Sequence, residues 1–342
     1  MKNIPYLKYY LDSIKLSEQE KSIRAMLMDW LPDKIIDCHA HCNQSIHIVD
    51  ISDSLYNHIN STFLDFDLER SISSISRLFP GKVVQTLRFS HPMGGIDIKS
   101  ANEYLINNSP ANDRVAICGI PDDIDYTNNL LGLKGIAALK MYHAFFSPPV
   151  SNIFDFFKPE ILETAQFHNI PIILHLPVPI SSAKNDLSLL LNDFPNLRVI
   201  LAHLGVPITF DSELELAYKQ FAKFDNLFMD TSMIMSADII RSAIDLFGHE
   251  RILYGTDQPL NLLKGRTHYD SNNCSFRFVT NYPYHWVNPI DFNKYRHISV
   301  DSINIHWHSL CAIRDSLQGL SMDSMSIKMA VFFKNAKMLF GF

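Results

Sequence analysis

Residues Ile35 to Cys42 read IIDCHAHC, which sets two imidazoles, His39 and His41, one residue apart at the end of a short apolar run. In a strand, residues i and i+2 face the same way. His39 and His41 are therefore expected to project side by side, with Asp37 on the same face below them. Two neutral imidazoles aimed at one point make half of a metal site. An isolated H-x-H also recurs by chance in polar turns, so the pair gains meaning only from what the rest of the chain brings beside it.

The elements that would bring it are regular. Short apolar, β-rich runs recur along the chain: KIIDCHAH (34–41), KVVQTLRFS (82–90), RVAICGIP (114–121), GIAALKMYH (135–143), IPIILHLP (170–177), LRVILAHLG (197–205), NLFMDTSM (226–233) and RILYGTDQP (251–259). Between them lie helix-like stretches such as FKPEILETAQFHN and SADIIRSAIDLFGHE, with apolar residues at i, i+3 and i+4. Near-continuous apolar strands suit a parallel sheet buried on both faces. Eight strand–helix units predict an α/β protein with a closed (β/α)8 TIM barrel, read as one domain over 1–342. A doubly wound open sheet is the alternative, but the first strand is followed by HAHCNQ, without the glycine-rich phosphate loop of that fold. Residues 1–33 read as an N-terminal helical extension. Residues 260–300 form a long aromatic and polar insertion after the eighth strand, placed either as an active-site lid or as an excursion on the barrel wall.

In such a barrel the C-terminal ends of all strands meet on one face, where active sites are built. His39 and His41 end the first strand, Lys140 and His143 the fourth, His175 the fifth, His203 the sixth and Asp257 the eighth. Residues more than 200 positions apart would thus surround one cavity. Arg88, at the end of the second strand, is a candidate for gripping a substrate carboxylate through two parallel hydrogen bonds, and a surface ion pair is its alternative. Tyr142, His143 and His91 are further pocket candidates. The aromatic residues Phe276, Tyr282, Tyr284 and Trp286 could stack on a planar substrate or simply pack.

Composition narrows the class. Hydrophobic residues make up 47% of the 342 and charged residues 19%, which suits a globular chain with a sizeable core. A net charge of -6 with scattered Lys and Arg gives no footprint for nucleic acid or an anionic membrane. Five cysteines, an odd and sparse set, make no disulfide framework. A Cys/His zinc knuckle at Cys38 and Cys42 lacks a second C-x-x-C or H-x-x-H to complete it. No apolar leader core or membrane-length stretch is present, so the expected location is cytoplasmic.

The ordered set of H-x-H on strand one, His on strands five and six and Asp on strand eight resembles the amidohydrolase superfamily of metal-dependent barrels. The segments LPDKIIDCHAHC, GIAALKMY, IPIILHLP, LRVILAHLG, ILYGTDQP and NAKMLF are similar to its branch of decarboxylases and lactone hydrolases, over about residues 31 to 340. The 260–300 segment matches nothing in that pattern. The resemblance implies that His39, His41, His175 and Asp257 bind one divalent metal, Zn2+ first, with Mn2+, Fe2+ or Co2+ as alternatives. It implies catalytic roles for Asp257 and His203, as proton acceptor from water and as acid/base or charge stabiliser, and substrate-binding roles for Lys140, Arg88, Tyr142 and His143. A binuclear site bridged by carboxylated Lys140 ranks second. The expected reaction is hydrolysis of a lactone or amide of a small organic acid, and the alternative is metal-dependent decarboxylation of a hydroxy- or amino-substituted acid. A non-catalytic scaffold is disfavoured, because a buried polar cluster is costly without a metal. A homodimer is expected from the apolar faces of the N-terminal extension and the final helix.

Overall fold

The structure, a computed structural model, describes residues 16–49, 66–146, 148–206, 211–270, 275–280, 289–298, 303–320 and 324–342. Eight parallel strands follow one another around the sheet in chain order: β1 Lys34–His41, β2 Val83–Phe89, β3 Arg114–Cys118, β4 Ile136–Met141, β5 Ile172–Leu174, β6 Val199–Leu201, β7 Leu227–Asp230 and β8 Ile252–Leu253. The ring closes between its ends: the Cys38 amide donates to Tyr254 O at 3.0 Å, the Asp257 amide to His39 O at 2.7 Å and the His41 amide to Gln258 O at 2.7 Å. Each strand is succeeded by a helix, and the fold is the expected (β/α)8 TIM barrel.

The helices begin where polar caps stand. Asp67, Asp97, Asp123, Asp211 and Ser236 each accept a hydrogen bond from the amide three residues on, which satisfies one of the orphan donors of a first turn. Alternate strand residues divide between two apolar layers. Ala116, Ala138, Ile173 and Ile200 share one cluster, while Ile117, Leu139, Ile172 and Val199 join Leu162, Leu187, Ala217 and Ile240 of the surrounding helices in another. This double burial is why the strands read as continuous apolar runs.

The extension is helical over Glu18–Trp30 and opens on a capping box between Ser17 and Glu20. Its Leu27 is buried in the main core and its Trp30 ring meets Phe332 edge-on at 5.7 Å. The described part of the 260–300 insertion forms an antiparallel hairpin, Gly265–Asp270 with Ser275–Thr280, and a short helix, Pro289–Tyr295. The hairpin packs on helix Ile305–Ser316, the outer helix that follows β8. Tyr282, Tyr284 and Trp286 lie outside the described residues, as do residues 1–15. No helix among the described residues is long and apolar enough to cross a membrane. Cys38, Cys42, Cys118 and Cys311 are free thiols.

Candidate metal centre

The site is built on the seam between β1 and the turn after β8. Asp37, fully buried, accepts hydrogen bonds from the Thr256 amide at 2.8 Å, the Thr256 hydroxyl at 2.6 Å and the His39 amide at 3.1 Å. Burial raises its carboxyl to about 7. β1 slips register against β2 between Asp37 and Ala40, so the strict alternation expected to set Asp37 beneath both histidines is interrupted. Asp37 instead clamps β1 to the segment that carries Asp257. That segment turns sharply, with Asp257 in the left-handed region at φ 59°. Gly255 allows it to pass, because a Cβ there would lie 2.8 Å from His39 Cβ.

At the seam, His39 Nε2 lies 3.4 Å and His41 Nε2 3.3 Å from Asp257 Oδ1. Ligand atoms of these three buried residues all fall within 4.8 Å of one another. The other ring nitrogens fix the protonation. Nδ1 of His39 donates to Asp230 Oδ2 at 2.8 Å, and Nδ1 of His41 donates to Ser90 O at 3.1 Å. A neutral imidazole has a single N–H, so both Nε2 atoms present lone pairs to a carboxylate oxygen. His39 Nε2 is buried without a hydrogen-bond partner. Protonating that ring would relieve the clash, but burial drives it down to about 4. Three converging acceptors with no proton between them could hold a cation, and two N donors with one O donor suit a divalent metal.

The remaining predicted residues take distinct places. His203 Nε2 stands 4.0 Å from Asp257 Oδ2, and its ring is 5.1 Å from those of both His39 and His175. It sits just past β6 at φ 54°. His175 lies outside the three-residue group, but its Nδ1 donates to Leu176 O at 2.9 Å, again leaving Nε2 as a lone pair. Burial, then His203, pushes His175 well below the ordinary histidine value. Lys140 is buried, and burial lowers it to about 8 against the pull of Asp230 and Asp257. Tyr142 meets His175 edge-on at 4.8 Å, and His143 lies 5.5 Å from it. His91 stacks on His41 at 4.1 Å.

Arg88 makes an ion pair, the second of its two readings, but a buried one. Its Nε donates to Asp113 Oδ2 at 2.9 Å and its Nη1 to the Ser71 hydroxyl, which donates in turn to Gln258 Oε1 at 2.6 Å. The guanidinium is engaged by a buried structural pair instead of being open to a substrate carboxylate, and it braces Gln258, the neighbour of Asp257. Sequence reasoning also missed Asp230 and Ser232 of NLFMDTSM, which hold His39 and His203. The available signal was that Asp230 ends its strand as the other site residues do.

A family model described as Amidohydrolase matches residues 36–272. Among solved structures, the chain is similar to a probable 2-pyrone-4,6-dicarboxylic acid hydrolase from Acinetobacter baumannii with citric acid bound, at 14% identity, TM-score 0.56, and 90% and 99% coverage of the two chains. It is similar to an amidohydrolase from Burkholderia multivorans with bound zinc, at 12% identity, TM-score 0.56, and 90% and 99% coverage. It is also similar to a 5-carboxyvanillate decarboxylase from Novosphingobium aromaticivorans with bound manganese, at 12% identity, TM-score 0.53, and 90% and 97% coverage. At these identities the likeness shows the fold alone. No curated protein matches the chain.

Proposed function

Because the chain belongs to the amidohydrolase family, we propose that it is a metal-dependent hydrolase that opens a lactone or amide of a small organic acid. The carrying observation is the convergence of the His39 and His41 Nε2 lone pairs on the Asp257 carboxylate at 3.4 and 3.3 Å. His39, His41 and Asp257 would hold one divalent ion, zinc or manganese, with His175 as the fourth ligand. A divalent ion bound there lowers the pKa of a water toward ~7 and makes a nucleophile available at neutral pH.

The chain's own groups supply the rest. Asp257 takes up the proton released by the attacking water through Oδ2, its oxygen nearer His203. His203, oriented through its Nδ1, would take that proton from Asp257 Oδ2 on Nε2 and donate it to the leaving oxygen or nitrogen. Lys140, Tyr142 and His143 line the β4 side, where the ammonium can pair with a substrate carboxylate. The test is ring opening of lactones and cyclic amides of small organic acids by the purified protein, before and after metal stripping by a chelator. Turnover that disappears on stripping and returns with zinc or manganese supports the reading. Absence of turnover across the panel with metal bound removes the hydrolase assignment.

Decarboxylation is the second reading, favoured by the buried Lys140 ammonium beside the site and by the decarboxylase among the similar structures. It uses the same ligands but consumes no water. Release of CO2 from hydroxy- or amino-substituted acids, without ring opening, would replace the first reading by this one.

A further inference from the structure

The Asp230 carboxylate, at the end of β7, touches two histidines of the site at once. Its Oδ2 accepts the Nδ1–H of His39 at 2.8 Å. Its Oδ1 accepts from the His203 amide at 3.0 Å, the Ser232 amide at 3.0 Å and the Ser232 hydroxyl. That hydroxyl lies 2.9 Å from His203 Nδ1, which also faces the Ser232 carbonyl at 3.0 Å. Asp230, Ser232 and His39 are all buried. We infer that Asp230 is the shared positioning residue of the centre: it fixes the Nδ1–H form of His39 directly and orients His203 through Ser232, so that both rings present Nε2 to Asp257.

The two oxygens of Asp230 do unequal work, and this makes the inference sharp. Oδ1 is surrounded by three donors, whereas Oδ2 meets the single N–H of His39. In an Asp230→Asn variant the amide oxygen must stay on the Oδ1 side, because an NH2 group there would face three donors. The NH2 group then points at His39 Nδ1, and a donor cannot face an N–H. His39 is forced to accept at Nδ1 and to carry its proton on Nε2, the atom the metal needs. The substitution is isosteric and keeps the hydrogen bonds that hold His203 and Ser232. It therefore changes the tautomer of one ring while sparing the fold. Ser232→Ala is the converse case: His203 keeps the Ser232 carbonyl as acceptor and His39 keeps Asp230.

The metal arm of this inference rests on the reading given above, and the tautomer arm does not. The experiment pairs long-range proton–nitrogen NMR of histidine-labelled, metal-free protein with zinc affinity measured by chelator competition. The wild type is expected to show His39 protonated on Nδ1. Asp230→Asn is expected to show it protonated on Nε2 and to bind zinc 10–100-fold more weakly, the range found when a partner of a ligating histidine is lost. Ser232→Ala is expected to leave both measurements near wild type. A wild-type His39 protonated on Nε2 overturns the inference whether or not the variant folds. So does an Asp230→Asn protein whose zinc affinity is unchanged. A wild type that binds no zinc, with His39 protonated on Nδ1 and inverted in Asp230→Asn, overturns the metal reading and leaves the tautomer assignment standing.

Discussion

Gly255 carries a hydrogen where any other residue would place a carbon 2.8 Å from His39 Cβ and 3.3 Å from Ser232 Cβ. Real Cβ atoms do not approach so closely, so Gly255→Ala must push His39 or the Asp257 turn aside. We expect the variant to fold and to bind zinc at least ~10-fold more weakly, since a ligand moved by a fraction of an ångström loses its geometry. Unchanged affinity in chelator competition would show that the seam relaxes freely. At this scale much of the site was legible in the sequence. His39, His41, His203 and Asp257 are ligand-type residues at strand ends, and the barrel gathers them. Asp230 was legible only through its strand-end position, because its partner His39 lies 191 residues away. Which of its two readings Arg88 takes was not legible for a related reason: Asp113 and Ser71, its partners, belong to no motif.

Among the elements, the helix Glu18–Trp30 is fastened to the barrel by a buried acid. Glu20 accepts from the Ser17 amide at 2.8 Å and, through its other oxygen, from the Asn304 amide at 2.9 Å. Glu20→Ala would leave the buried Asn304 amide without its acceptor, a loss that costs about 1–3 kcal/mol. The expected result is a clear drop in the urea midpoint with zinc affinity retained. A midpoint equal to wild type would mean that the helix is held by its apolar face alone. The strands show where sequence pattern runs out. The fifth, sixth and eighth runs read as eight or nine residues, but β5 and β6 span three residues each and β8 two. Left-handed residues follow two of them: His203 at φ 54° and Leu204 at φ 50° past β6, and Asp257 at φ 59° past β8. Such conformations cost ~1–3 kcal/mol each and gather at functional sites, yet hydrophobic periodicity carries no record of φ.

For the whole molecule, burial keeps several imidazoles neutral and so ties stability to pH. It lowers His39 and His143 to about 4 and His306 to about 3, from an ordinary value of 6.5. Between 6.5 and those values the unfolded chain binds protons that the folded chain refuses. The contribution of these histidines to stability is therefore full above pH 6.5 and is lost as pH falls toward 4 and then 3. Each such histidine contributes a slope of about 1.4 kcal/mol per pH unit within its window. His306 lies apart from the proposed ligands, with its ring 5.1 Å from Phe79 and Nδ1 3.2 Å from Asn261 Nδ2. His306→Gln should flatten the acid limb of the stability curve of the metal-free protein by that amount, and an unaltered limb would show that His306 titrates normally. The most direct test of the account is elemental analysis of the purified protein beside His39→Ala and Asp257→Ala. The account predicts about one zinc or manganese per chain in the wild type and next to none in either variant. A wild type that takes up no metal on reconstitution, or variants that keep it in full, would contradict the account.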